Sequence, residues 1–237
     1  MSFFVYNEYM QQYFVSETLS TGDEINLDKD ILYHLVKVLR KDSSYTFRIV
    51  DQNGSIFHAS LSGKDTCLIK EKLDEDNELS CDITCILSLI KSDKLELCIQ
   101  KLVELGVKRI VLYDARRSVM KIKDEKKLQR LSKIALEAAE QSHRNIVPQV
   151  LMPISIKQMK DYMSEKNYIC YESERNIADI SSSSSITYII GPEGGFEDKE
   201  YEQICALGFE SISLGKRILR AETAALYMTS VIVSKCQ

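Results

Sequence analysis

The sequence predicts an α/β protein, a parallel sheet with helices that follows a small, mostly β, barrel-like unit. Three observations lead there. From about residue 83 onward, short apolar runs alternate with helical patterns, and the run ITCILSLI at 83–90 carries no charge, as in a strand buried on both faces. Before residue 78 the pattern is instead one of short alternating segments broken by turn signals, with a single helical stretch. Near the C-terminus two glycine-bearing turns, GPEGGF at 191–196 and LGKRILRAETA at 214–224, each follow a β-prone run and precede a helical pattern. That is the order of βα units, whose strand ends form ligand sites.

The bulk figures set limits on function. With 237 residues, 44% of them hydrophobic, the chain has room for one large domain or two modest ones. A formal net charge of -4 excludes a uniformly basic nucleic-acid binder, so any RNA contact must come from local patches. Residues 1–80 hold 8 Lys and Arg against 14 Asp and Glu, which leaves the remainder slightly positive. No apolar run reaches the roughly 18 residues of a membrane span, and no charged-then-apolar leader opens the chain. Seven cysteines lack any C-x-x-C pair and have only three histidines for company. Buried free thiols in a reducing cytoplasm are the expectation, with neither disulfides nor a metal.

Taken in order, residues 1–9 are an aromatic-rich extension, and the first domain is expected at 10–78. Its strands are predicted at 12–15, 46–50, 55–61 and 66–72, with Asp51-Gln52-Asn53-Gly54 as a hairpin turn. One helix interrupts them: Asp28 and Asp30 precede the stripe Ile31, Leu32, Leu35, Val36, Leu39. The acidic run at 74–78 marks a solvated linker. A second domain is expected at 81–237. There, Ser92-Asp93 caps a helix over 94–105 that Gly106 ends. A strand follows at 109–113, then a long helix over 124–142 that Pro148 stops. A short helix at 154–162, a strand at 168–171 with a polar exit at 172–175, and a serine tract at 181–185 read as a loop come next. A helix over 197–207 joins the two glycine turns. The last helix, 221–233, is almost wholly apolar and must be buried, under the sheet or against a second subunit.

The residues with chemical potential cluster in a few places. The glycines at 191, 194 and 195 let backbone approach a flat ligand closely and adopt positive φ, although two such turns also serve plain βα connections. Arg40 and Lys41 end a helix, where they either complement its dipole or grip phosphate. Arg220 and Glu222 open the last helix, where they either pair with each other or act on a substrate. The first turn, GPEGG, lacks the G-x-x-x-x-G-K-[ST] spacing of a phosphate-binding P-loop.

These motifs, with KLVELGV at 101–107, RRS at 116–118, EAAEQSHRNIVP at 137–148 and HLVKVLR at 34–40, resemble the RsmE family of ribosomal RNA methyltransferases in the SPOUT superfamily. The resemblance spans nearly the whole chain from Met10 and agrees in order and spacing. It implies a PUA-like β-barrel followed by an α/β domain with a deep trefoil knot, an exception to the rule that chains do not thread. It implies S-adenosylmethionine as methyl donor, a homodimer, and methylation of N3 of one uridine in 16S RNA of the small ribosomal subunit. On this resemblance Tyr171, Glu172, Ile190, Gly191, Pro192, Glu193, Gly194, Gly195, Leu214, Gly215, Ile218 and Leu219 surround the donor. Arg220 stabilises a developing uracil anion, and Glu222 orients it or serves as base. Arg40, Lys41, Arg117, Arg144 and Arg217 contact RNA. Two departures stand out: Gln12 replaces the family's usual Arg, and Arg116 replaces an acid. Both bear on RNA affinity rather than on donor binding. A non-catalytic ribosome-assembly factor with the same fold, or a methyltransferase for another RNA, are the alternatives.

Overall fold

The computed structural model describes residues 10–122, 124–172, 180 and 182–236. Expectations for residues 1–9, for the polar exit at 173–175 and for Ser181 of the serine tract lie outside the described residues. The chain divides into two compact units, one through Asn77 with Glu140–Ile146 added, the other Glu78–Ala139 with Val147–Gln237. The first unit therefore takes in a segment that a division into 10–78 and 81–237 assigns to the second.

In the first unit, β1 (Gln12–Phe14), β2 (Glu24–Asn26), β3 (Thr46–Val50), β4 (Ile56–Leu61) and β5 (Thr66–Leu73) form one sheet in the order β1-β3-β4-β5-β2. The β3–β4–β5 meander is antiparallel, and β1 joins β3 in parallel. The β3–β4 turn closes as its residues dictate. Asp51 Oδ1 accepts the N–H groups of Asn53 and Ser55 at 2.9 Å, and Gly54 takes φ 79°. Tyr13, Leu35, Phe47, Ile49, Phe57 and Ile69 fill the core. The helix α1 (Lys29–Tyr33) starts after Asp28 as expected, though Asp28 makes no side-chain cap bond. It widens into a π-type turn, His34–Val38.

Gln12 lies inside the first unit. It is 2% exposed, its Nε2 donating to Arg144 O at 2.7 Å and its Oε1 accepting from Arg48 Nε at 3.1 Å. Arg48 in turn pairs with Glu75 at 2.6 Å. At this position the chain therefore has a hydrogen-bond bridge internal to the unit.

In the second unit, β6 (Asp82–Ser88), β7 (Arg109–Tyr113), β8 (Gln149–Ile154), β9 (Lys166–Cys170), β10 (Ser185–Ile190) and β11 (Glu210–Ile212) form a wholly parallel sheet. Its order is β11-β9-β10-β6-β7-β8. The helices are α2 (Ser92–Glu104), α3 (Glu125–Gln141), α4 (Asp198–Ala206) and α5 (Ala221–Val233). α2 begins two residues earlier than expected: Lys91 is the N-cap and Ser92 is already helical. α5 buries Ala221, Ala225, Met228, Thr229 and Ile232, while its Tyr227 is half exposed, so only one face of this apolar helix is covered. Among the described residues no helix is long and apolar enough to cross a membrane.

The cysteine expectation holds in part. Cys81 and Cys236 form a disulfide, which corrects the reading of all seven as free thiols. Cys67, Cys85, Cys98 and Cys170 are free and buried, and Cys205 is free and half-buried. Burial pushes the Cys67 and Cys85 thiols up to about 12, far from a reactive thiolate.

Candidate active site

Because the sheet is parallel, β9, β10 and β11 all release the chain at the same edge. Register places Ile190 beside Cys170, and Cys170 beside Ile212. The three exits enclose a solvent-open cavity of about 90 Å³. Cys170, Tyr171 and Glu172 form one wall, Ile190, Gly191, Pro192 and Gly195 a second, and residues 213–219 a third, with Ala221 and Ala224 of α5 beneath.

Each wall is fixed by local chemistry. Tyr171 donates its N–H to Ile212 O at 3.0 Å, and its ring stacks on Tyr201 at 4.1 Å between centroids. In the second wall, Gly195 N donates to Pro192 O at 3.0 Å, with Gly195 at φ 68°. A Cβ on Gly195 would lie 2.6 Å from Glu172 Oε1, the movable end of a flexible side chain, so it is the positive φ that calls for glycine. In the third wall, Gly215 N donates to Ser213 Oγ at 3.3 Å, and the Ser213 hydroxyl donates to Gly215 O at the same distance.

All the residues expected around a donor line this cavity except Glu193 and Gly194, which face the other way. Glu193 Oε1 accepts the Lys91 backbone N–H at 3.1 Å, at the start of α2. Gly194 O accepts Arg117 Nη1 at 3.1 Å. Cys170, Ser213, Lys216, Ala221 and Ala224 also line the cavity and were not anticipated. Ser213 had a legible signal, a serine two residues before a turn glycine; the two alanines had none.

Arg220 is the N-cap of α5 and is exposed. Glu222, in the first helical turn, pairs with Lys94 of α2 at 3.3 Å rather than with Arg220. Its carboxylate is turned from solvent, and Glu222 Oε2 is buried with no hydrogen-bond partner among the described residues. Lys94 was not singled out in the sequence, because nothing there ties the first turn of α2 to that of α5.

The basic residues separate into three kinds. Arg217 is exposed and lines the cavity. Arg40 and Lys41 belong to the first unit, where they border a hollow with Met10, Asp42, Ser44, Tyr45 and Thr46. Lys41 Nζ sits 4.4 Å above the Tyr45 ring, and Arg40 adopts φ 54°. Arg144, by contrast, is 3% exposed, which corrects its reading as an open phosphate contact. Arg116, the second departure, pairs with Glu197 at 3.3 Å.

Comparison with known proteins bears on this geometry. Residues 77–233 match the RNA methyltransferase domain family. The chain is 35% identical to ribosomal RNA small subunit methyltransferase E of Bacillus subtilis, over 94% of this chain and 96% of that one. It is also 35% identical to the protein of that name from Mesomycoplasma hyopneumoniae, over 99% and 97% of the two chains. Among solved structures it resembles ribosomal RNA small subunit methyltransferase E from Neisseria gonorrhoeae bound to S-adenosyl methionine, with TM-score 0.87 and 32% identity. That match covers 95% of this chain and 97% of the other.

Proposed function

The chain belongs to the RNA methyltransferase family, with relatives named ribosomal RNA small subunit methyltransferase E, and from that premise we propose its reaction in detail. It transfers a methyl group from S-adenosylmethionine to N3 of one uridine in small-subunit ribosomal RNA, on the assembled subunit. The observation that carries this reading is the convergence of three strand exits on one cavity, each kept close to the ligand space by a turn. Gly215 has no atom within 4 Å of where a Cβ would stand, so the third wall leaves room for a flat group.

When bound, S-adenosylmethionine supplies a methyl on a positively charged sulfur. The work of the chain is to hold that group and the uracil in line. Backbone groups of Ile190, Gly191, Pro192 and Gly195 on one side, and of Leu214, Gly215, Ile218 and Leu219 on the other, are assigned to the donor. Tyr171 and Glu172 close the third side. Arg220 meets the uracil: its guanidinium stabilises the anion that forms as the N3–H proton passes to solvent. The N3–carbon bond forms as the sulfur–carbon bond breaks, leaving S-adenosylhomocysteine. Glu222, held by Lys94, orients the first turn of α5 and so the arginine beside it. Arg40, Lys41 and Arg217 are assigned to RNA phosphates.

The same premise supports a PUA-like barrel over 10–78, a trefoil-knotted SPOUT domain over 81–237, and a cytoplasmic homodimer. The uncovered face of α5 supports the dimer. Light scattering at micromolar concentration should give twice the 27.1 kDa of one chain, and a monomer there contradicts it.

The decisive assay uses labelled S-adenosylmethionine with small subunits lacking the modification, alongside naked RNA and large subunits. Label on a single small-subunit uridine is expected. Arg220→Ala should bind donor normally but turn over about 10²–10³-fold more slowly. Donor binding without transfer to any of these RNAs points to another substrate, and no donor binding points to an assembly factor.

A further inference from the structure

The GPEGGF loop has two faces, and the one turned from the cavity is tied down by the strand exit after β7. Arg117 Nη1 donates to Gly194 O at 3.1 Å, and Arg117 Cβ lies 3.2 Å from where a Cβ on Gly194 would stand. The next turn of the loop is held by Glu200, which is 1% exposed. Glu200 Oε1 accepts the Arg116 N–H at 3.1 Å and the Tyr113 hydroxyl, while its Oε2 accepts the Glu197 N–H at 3.3 Å. One buried carboxylate thus bridges the β7 exit and the start of α4. The Arg116–Glu197 pair adds a surface contact between the same two segments.

A carbonyl that accepts from a guanidinium is restrained in orientation, here through an exposed hydrogen bond. The peptide plane of Gly194 O includes the N–H of Gly195, the residue whose N–H closes the loop on Pro192 O and which lines the cavity. The pull on the back of the loop therefore sets the orientation of its front.

We infer that Arg117 is a positioning residue for the donor-binding face of the GPEGGF loop, rather than a contact to RNA phosphate. This rests on the methyl-donor reading of the cavity, and its test includes one arm that does not. In Arg117→Ala, the KM for S-adenosylmethionine rises by about tenfold, as for loss of one charge-assisted hydrogen bond. The kcat at saturating donor and the KM for small subunits stay within twofold, and Arg117→Lys, which keeps a donor of similar reach, recovers most of the affinity. Arg40→Ala serves as the contrast, with a higher KM for small subunits and an unchanged one for donor.

The independent arm is hydrogen exchange on the ligand-free protein. The Gly195 amide should exchange several-fold faster in Arg117→Ala, with amides in β7 and α2 unchanged. Unaltered exchange at Gly195 overturns the inference whatever the donor does. A raised KM for RNA with donor KM unchanged overturns it too, and returns Arg117 to the RNA surface. Faster exchange in a protein whose wild type binds no S-adenosylmethionine upholds the latch and defeats the donor reading instead.

Discussion

Arg40 ends a helix in a left-handed conformation, and under the proposed function it also contacts RNA; a single substitution separates the two. It follows the π-type turn at His34–Val38, with Leu39 as C-cap, and sits where helices commonly place a left-handed glycine. Lys41 N donates to Leu35 O at 3.0 Å across this turn, so the left-handed φ of 54° at Arg40 is part of the helix ending. A side chain in that conformation costs about 1 kcal/mol relative to glycine. Retaining arginine at that cost fits a role for the guanidinium in the hollow it shares with Lys41 and Tyr45. Arg40→Gly should therefore raise stability by up to about 1 kcal/mol while weakening RNA binding, the slope of log K against log salt falling by roughly one charge. Urea titration and filter binding across salt concentrations measure the two effects. A variant that is both less stable and equally tight on RNA contradicts the assignment.

At the scale of elements, the sequence announced what its periodicity could carry. Arg109–Tyr113 and Ala221–Val233 begin and end where their patterns do, because each is bounded by clear breaks in the apolar run. β8 was missed: its segment QVLMPI contains Pro153 directly after a proline-marked stop, and proline argues against a central strand. The structure resolves the conflict by placing β8 at the sheet edge, with a register shift against β7 between Val111 and Tyr113. β2 was missed because three residues with one apolar side chain give no period to read. The cavity walls were legible for a local reason, since a turn after a buried strand is written in consecutive residues. Lys94 was not, since its partner lies on another helix. That pair, between the first turns of α2 and α5, also makes a prediction. The Glu222 side chain is 16% exposed, so Lys94→Met leaves a mostly buried carboxylate without its cation. The expected loss is about 1–3 kcal/mol. The double variant with Glu222→Gln should recover part of it, because the uncompensated charge is gone. Strictly additive losses in urea denaturation argue that the two side chains do not interact.

Over the whole molecule, the least legible feature was the one that joins distant parts of the chain. Seven scattered cysteines give no pairing, since disulfide formation depends on approach in space and not on spacing. Cys81 precedes β6, Cys236 follows α5, and they are 155 residues apart in sequence. Two further bonds tie the same ends: Ser80 donates to Cys236 O through its Oγ at 2.6 Å and its N–H at 3.3 Å. The start of the parallel sheet and the end of the last helix are thus closed into one loop containing nearly the whole second unit. α5 begins at the cavity and ends at this tie, so anything that frees its last turn loosens the helix from the end opposite the cavity. The bond restricts the unfolded chain, which for a long loop stabilises by about 2–4 kcal/mol. Cys236→Ser should then unfold at lower urea concentration than wild type without reductant, and at nearly the same concentration with it, because reduction removes the bond from wild type alone. The Ser80 contacts survive in both, so donor affinity at moderate temperature should be unchanged by the substitution. Equal midpoints without reductant would show that the tie contributes nothing to stability. A gap that persists under reduction would assign the effect to packing of the Cys236 side chain, which is 4% exposed.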